Sequence, residues 1–121
     1  VHGHDGLDEI SVCAPTRISE LRDGIIRTYD IDPERFLGRR AAPAEVAGGD
    51  PVRNAEITRG VLAGDKGACR DVVVLNAAAA LVAAGKTDTI ETGMRVAAES
   101  IDSGSARRKL DELVNFTRQA G

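Results

Sequence analysis

Apolar positions in this chain fall into β-suited runs near its start and helical spacing after them. Residues 16–21 and 25–31 are two such runs, separated by Arg22-Asp23-Gly24. Asp-Gly between β-suited runs predicts a hairpin, because the tight turn needs positive φ. Ahead of them, Val1-His2 reads as the end of a strand. Residues 10–16 read as a short, loosely extended stretch in which Pro15 argues against a central strand. Asp32-Pro33-Glu34 then opens a single helical turn reaching Phe36, with Pro33 in the first-turn position it tolerates.

Helical spacing takes over after a connection at residues 38–49 that shows no clear period. Asp50-Pro51 reads as an N-cap followed by Pro at the first helical position. Ile57, Thr58, Val61 and Leu62 form a stripe at helical spacing, and Gly64 ends that helix. Residues 65–67 form a turn. Residues 70–84 are apolar nearly all round. Val72-Val73-Val74 alone would suit a strand, but the alanines at 77–80 favour one buried helix closed by Gly85. Its polar interior residue, Asn76, is expected to hydrogen-bond a neighbouring segment, since a buried amide must be satisfied. Asp88-Thr89-Ile90-Glu91 resembles a capping box with Asp in the cap position. Beyond it, Ile90, Met94, Ala97, Ala98 and Ile101 share one helix face that stops near Gly104. A last helix from Ser105 carries Ala106, Leu110, Leu113 and Val114. The expected architecture is α/β: a strand and a β-hairpin followed by about four helices.

Composition narrows the function classes. With 121 residues the chain is one domain or part of one, at 42% hydrophobic and 29% charged. Aromatics are limited to Tyr29, Phe36 and Phe116, so a core must be built from Ala, Val, Leu and Ile. A net charge of -3 and a pI near 5.4 give no reason to expect nucleic acid or an anionic membrane as partner. The longest apolar run, residues 72–84, is broken by Asn76 and is too short to span a bilayer. No signal peptide is visible. Cys13 and Cys69 in an otherwise unstapled chain point to reduced thiols, and the expected location is cytoplasmic. The chain starts without Met, within a strand and directly before its most chemical loop, and it reads as a piece of a longer protein.

That loop is His2-Gly3-His4-Asp5-Gly6-Leu7-Asp8-Glu9-Ile10-Ser11. Gly3 and Gly6 allow a sharp turn, and the adjacent acids Asp8 and Glu9 sit where a loop can aim both at one cation. Oxygen-only ligands of this kind suit magnesium, which takes one or two protein carboxylates plus waters and substrate phosphates. His2-x-His4 raises a rival zinc reading, but no third nitrogen or sulfur ligand lies nearby in sequence. Gly48-Gly49-Asp50 offers a second candidate, a phosphate cradle on free amides, against the plainer reading as a helix cap. Arg107, Arg108 and Lys109 form a basic cluster that reads as a solvated helix face.

His2-Gly3-x-Asp5-Gly6-Leu7-Asp8-Glu9, Pro15-Thr16, Gly48-Gly49-Asp50, Asn54-Ala55, Leu75-Asn76-Ala77-Ala78 and Ile101-Asp102-Ser103-Gly104 occur in this order. With that spacing the chain resembles, over essentially its whole length, the C-terminal third of the anthranilate phosphoribosyltransferase family. The likeness implies that residues 1–121 are the C-terminal portion of a larger α/β domain, without the helical domain and the phosphate-binding loop. It implies a parent enzyme, usually a homodimer, that joins anthranilate to 5-phosphoribosyl 1-pyrophosphate in tryptophan biosynthesis and releases pyrophosphate. By the same likeness Asp8 and Glu9 match the acidic pair that holds Mg2+ on the sugar pyrophosphate. Position 4 is commonly acidic in that family and is His here. The family's phosphate loop, its lysine-histidine segment and its anthranilate-binding arginine are absent, so the chain alone is expected to be inactive. Two alternatives share the fold: a nucleoside phosphorylase-like enzyme, and a non-catalytic nucleic-acid-binding relative.

Overall fold

The structure is a computed structural model and describes residues 1–119. Among the described residues, three antiparallel strands in the order β1-β2-β3 are followed by six helices. β1 (His2–Gly3) is two residues long and pairs with the start of β2 (Thr16–Arg22), which pairs along its length with β3 (Ile25–Ile31). The predicted hairpin is present. Asp23 and Gly24 carry φ of 52° and 76°, the left-handed pair that lets Arg22 and Ile25 face each other across a two-residue turn.

Two helices are single turns, α1 (Glu34–Leu37) and α2 (Pro43–Val46). The first matches the turn expected after Asp32, whose Oδ1 accepts from the Glu34 N–H at 3.0 Å. The second lies in the connection that showed no period. Its Glu45 Oε2 accepts from the Ala42 N–H at 2.8 Å, so the turn is held by its own side chain and needs no apolar stripe.

The four longer helices are α3 (Pro51–Ala63), α4 (Ala68–Ala83), α5 (Ile90–Asp102) and α6 (Ser105–Gln119). Asp50 caps α3, its side chain accepting from the Arg53 N–H at 2.8 Å. At α5 the cap is Thr89, whose Oγ1 accepts from the Thr92 N–H at 3.2 Å. The expected capping box placed Asp88 there. Thr89 takes the position because its backbone is extended at φ -136° and the helix begins directly after it.

α4 organises the interior. Ile10, Val12, Ile31, Ala41, Ala68 and Leu75 form one buried cluster, so the segment after the acidic loop and the end of β3 rest on α4. Val61, Val74, Ala97 and Ile101 form the other, joining α3, α4 and α5. α4 is therefore buried on two sides and not all round, contrary to the all-round apolar pattern. Val73 is 42% exposed, because nothing among the described residues covers that flank. α6 sits at the margin. Its Ala106 packs against the second cluster, whereas Leu113, expected on the apolar face, is exposed. Among the described residues, no helix is long and apolar enough to cross a membrane.

Candidate functional site

The acidic loop links β1 to the strand that begins at Thr16, and its shape is set by backbone and side-chain bonds at both ends. The Gly3 N–H donates to the Leu7 carbonyl at 2.8 Å, and the Gly6 N–H to the Gly3 carbonyl at 2.9 Å. Gly6 takes φ 93°, which a side chain would oppose. The His4 N–H reaches the Pro15 carbonyl at 2.9 Å, which fastens the loop to the segment entering β2.

Further along, Ser11 gathers the turn. Its Oγ donates to Asp5 Oδ2 at 2.6 Å and accepts from the Cys13 and Ala14 N–H groups at 2.9 and 3.1 Å. Its own N–H donates to Thr16 Oγ1 at 2.9 Å. Asp5 is thereby engaged inside the loop. Burial pushes the Cys13 thiol up, and the Asp5 charge adds to that shift.

Asn76 meets the same loop from α4. Its Oδ1 accepts from the Ile10 N–H and its Nδ2 donates to the Ile10 carbonyl, each at 2.9 Å. The second Nδ2 hydrogen goes to the Val72 carbonyl at 3.0 Å. The hydrogen bond to a neighbouring segment expected of Asn76 is thus a bond to Ile10, next to Glu9. Ser11 and Asp5 as loop supports have no signal in the sequence, because the five intervening residues of irregular backbone carry no period that pairs them.

Asp8 and Glu9 are exposed, and the ion pairs among the described residues engage neither. Both donors are carboxylate oxygens on adjacent residues of a tied loop. Among the described residues, no group of three or more His, Cys, Asp and Glu side chains is gathered closely enough to hold a metal by itself. His4 turns to the hairpin, with Nε2 3.5 Å from Asp30 Oδ1. Asp30 is already held by Arg17, whose Nε and Nη2 donate to it at 2.8 and 3.1 Å. Those bonds from Arg17 hold the Asp30 carboxyl below the usual carboxylate range.

The Gly48-Gly49-Asp50 stretch is a cap. Asp50 takes the Arg53 N–H, the Asp50 carbonyl takes the Asn54 N–H at 2.9 Å, and Asn54 Oδ1 takes the Gly49 N–H at 2.8 Å. The Gly49 N–H, one of the amides a phosphate cradle would use, is thereby spent within the chain. The basic cluster on α6 is exposed and paired locally, Lys109 with Glu112 and Arg108 with Ser105 Oγ at 2.7 Å. Cys13 and Cys69 are free thiols.

Comparison with known proteins places this loop in context. Anthranilate phosphoribosyltransferase of Desulfosudis oleivorans is 58% identical over 122 aligned residues, covering 100% of this chain and 36% of the relative. The enzyme of that name from Syntrophobacter fumaroxidans is 61% identical over 119 residues, covering 98% of this chain and 35% of its own length. The chain thus spans about a third of the curated relatives it matches. Among solved structures, anthranilate phosphoribosyltransferase from Thermus thermophilus superposes with a TM-score of 0.82 at 36% identity, over 94% of this chain and 34% of that one. The Saccharomyces cerevisiae enzyme in complex with PRPP and Mg gives a TM-score of 0.82 at 28% identity, over 94% and 33%. The family model for the glycosyl transferase family, a/b domain, matches residues 1–107, and the chain belongs to that family.

Proposed function

We propose that this chain is the metal-holding part of an anthranilate phosphoribosyltransferase, the C-terminal portion of its α/β domain, with Asp8 and Glu9 as the magnesium ligands. The observation that carries the reading is the pair itself: two adjacent, exposed carboxylates that no ion pair among the described residues engages, on a loop tied at both ends. Magnesium takes one or two protein carboxylates and leaves its other positions to water and substrate phosphate, so a pair suffices. The donor set fits the ion. The names of the curated relatives favour this reading over a nucleoside phosphorylase or a nucleic-acid-binding relative.

When bound, the ion supplies charge stabilisation for a pyrophosphate leaving group. Within this chain, Asp8 and Glu9 hold position and charge, and neither moves a proton. Their exposure leaves the loop open to a phosphorylated substrate. Asp5 is engaged inside the loop through Ser11 and is not assigned as a ligand. Residues outside the chain supply the phosphate loop, the anthranilate contacts and the homodimer interface, and the proposed location is the cytoplasm. The isolated chain is therefore inactive.

The test is made in a full-length relative that carries this segment. Asp8→Asn and Glu9→Gln should lower anthranilate-dependent pyrophosphate release and raise the magnesium needed for it. Unchanged turnover at limiting magnesium in both variants would remove the assignment.

A further inference from the structure

We propose that Asn76 and Ser11 are positioning residues for the Asp8–Glu9 pair, an inference that rests on the metal reading above. Two planar peptide groups flank Ile10. The one before it carries the Glu9 carbonyl and the Ile10 N–H, and that N–H is held by Asn76 Oδ1 at 2.9 Å. The one after it carries the Ile10 carbonyl, held by Asn76 Nδ2 at 2.9 Å, and the Ser11 N–H, held by Thr16 Oγ1 at 2.9 Å. Neither plane can rotate without breaking a bond, so the direction in which the chain leaves Glu9 is set from α4. Ser11 closes the other side through its 2.6 Å bond to Asp5, three residues before Asp8.

The hydrogen-bonding capacity of these groups separates positioning from ligation. Both Nδ2 hydrogens of Asn76 are used, on Ile10 and Val72, leaving no donor for a substrate. Ser11 is fully buried, and its hydroxyl donates one bond and accepts two. Their contribution to the cation is rigidity: two carboxylates on a fixed backbone bind without first ordering the loop.

The experiment uses the 121-residue chain, amide NMR and Mn2+ as the probe ion. In the unsubstituted chain substoichiometric Mn2+ should broaden the amide signals around Asp8 and Glu9 first, and without Mn2+ the Ile10 amide should exchange slowly. Asn76→Asp keeps the side chain's size but sets an oxygen against the Ile10 carbonyl. Its added negative charge alone would strengthen cation binding, so a weaker Mn2+ affinity reports lost position. The expected result is an affinity about tenfold weaker and faster exchange at Ile10, with the Ser19 and Thr28 signals of the hairpin unmoved. Ser11→Ala should weaken Mn2+ in the same direction without touching Asn76, and it decides the matter if Asn76→Asp does not fold. Unchanged Mn2+ affinity in the folded variants would overturn the positioning role and leave the metal reading standing. Absence of Mn2+ broadening at Asp8 and Glu9 in the parent chain would overturn both.

Discussion

Arg70 Nη2 stands 2.9 Å from both carboxylate oxygens of Asp102, tying the first turn of α4 to the end of α5. The Arg70 side chain is only 7% exposed, whereas that of Asp102 is 49% exposed. Arg70 Nη1 is buried without a hydrogen-bond partner. Such a pair is sensitive to losing its anion, since a buried guanidinium would be left uncompensated. Asp102→Ala should cost about 2 kcal/mol. Arg70→Met removes the buried charge together with its orphaned nitrogen and should cost less. Urea midpoints of the two variants check the order, and a larger loss for Arg70→Met would refute it.

The crossing of α4 and α5 makes a second prediction. A Cβ on Gly93 would lie 2.8 Å from the Ala78 carbonyl oxygen and 2.9 Å from Ala78 Cα, both backbone atoms that cannot step aside. Gly93→Ala should therefore destabilise the chain by about 1–3 kcal/mol despite its better helix propensity. Thermal unfolding would show this as a lower Tm. A neutral or raised Tm would mean that the helices separate at no cost.

Acid should weaken the fold in a defined direction. Bonds from Arg17, Arg40 and Arg39 hold the Asp30, Asp32 and Glu45 carboxyls below the usual carboxylate range. A depressed carboxyl contributes stability that is complete above its unfolded pKa and is lost as pH falls through the folded one. The loss should be confined to acid below about pH 4. Stability measured down that range should fall less steeply in Arg17→Gln than in the parent chain. Equal slopes would show that the Arg17–Asp30 pair contributes nothing.

Exchanging the acidic pair should leave the fold alone. Asp8 and Glu9 are exposed, so Asp8→Asn combined with Glu9→Gln should change stability by no more than about 0.5 kcal/mol. The same double variant should lose Mn2+ broadening at the loop. Retained broadening would place the cation elsewhere.

What could be read from residue order alone was local. Asp23-Gly24 and Asp50-Pro51 act within a few residues of themselves, so turn and cap chemistry announced the hairpin and the start of α3. The Asp8–Glu9 pair was visible for the same reason, as adjacent acids in a glycine-hinged segment. Thr89 and Asp88 are adjacent residues able to cap, and their order along the chain did not decide between them. The bonds from Ser11 to Asp5 and from Arg70 to Asp102 were not legible, because each depends on where distant or irregular backbone finally lies. Gly93 gave no warning either. Its smallness matters only because Ala78 passes over it.

The Asn76–Ile10 bonds also govern when the loop takes shape. Their partners are 66 residues apart in sequence. Joining ends over that distance costs roughly 4 kcal/mol of chain entropy. Local turns do not offset such a cost, and long-range contacts of this kind form late in folding. During synthesis Asp8 and Glu9 are made before Asn76, so the bonds that hold Ile10 form only after α4 has been translated and has coiled. A cation-binding shape near the beginning of this chain is therefore a product of its later half, and a ribosome stalled before residue 76 would hold the acids without the geometry.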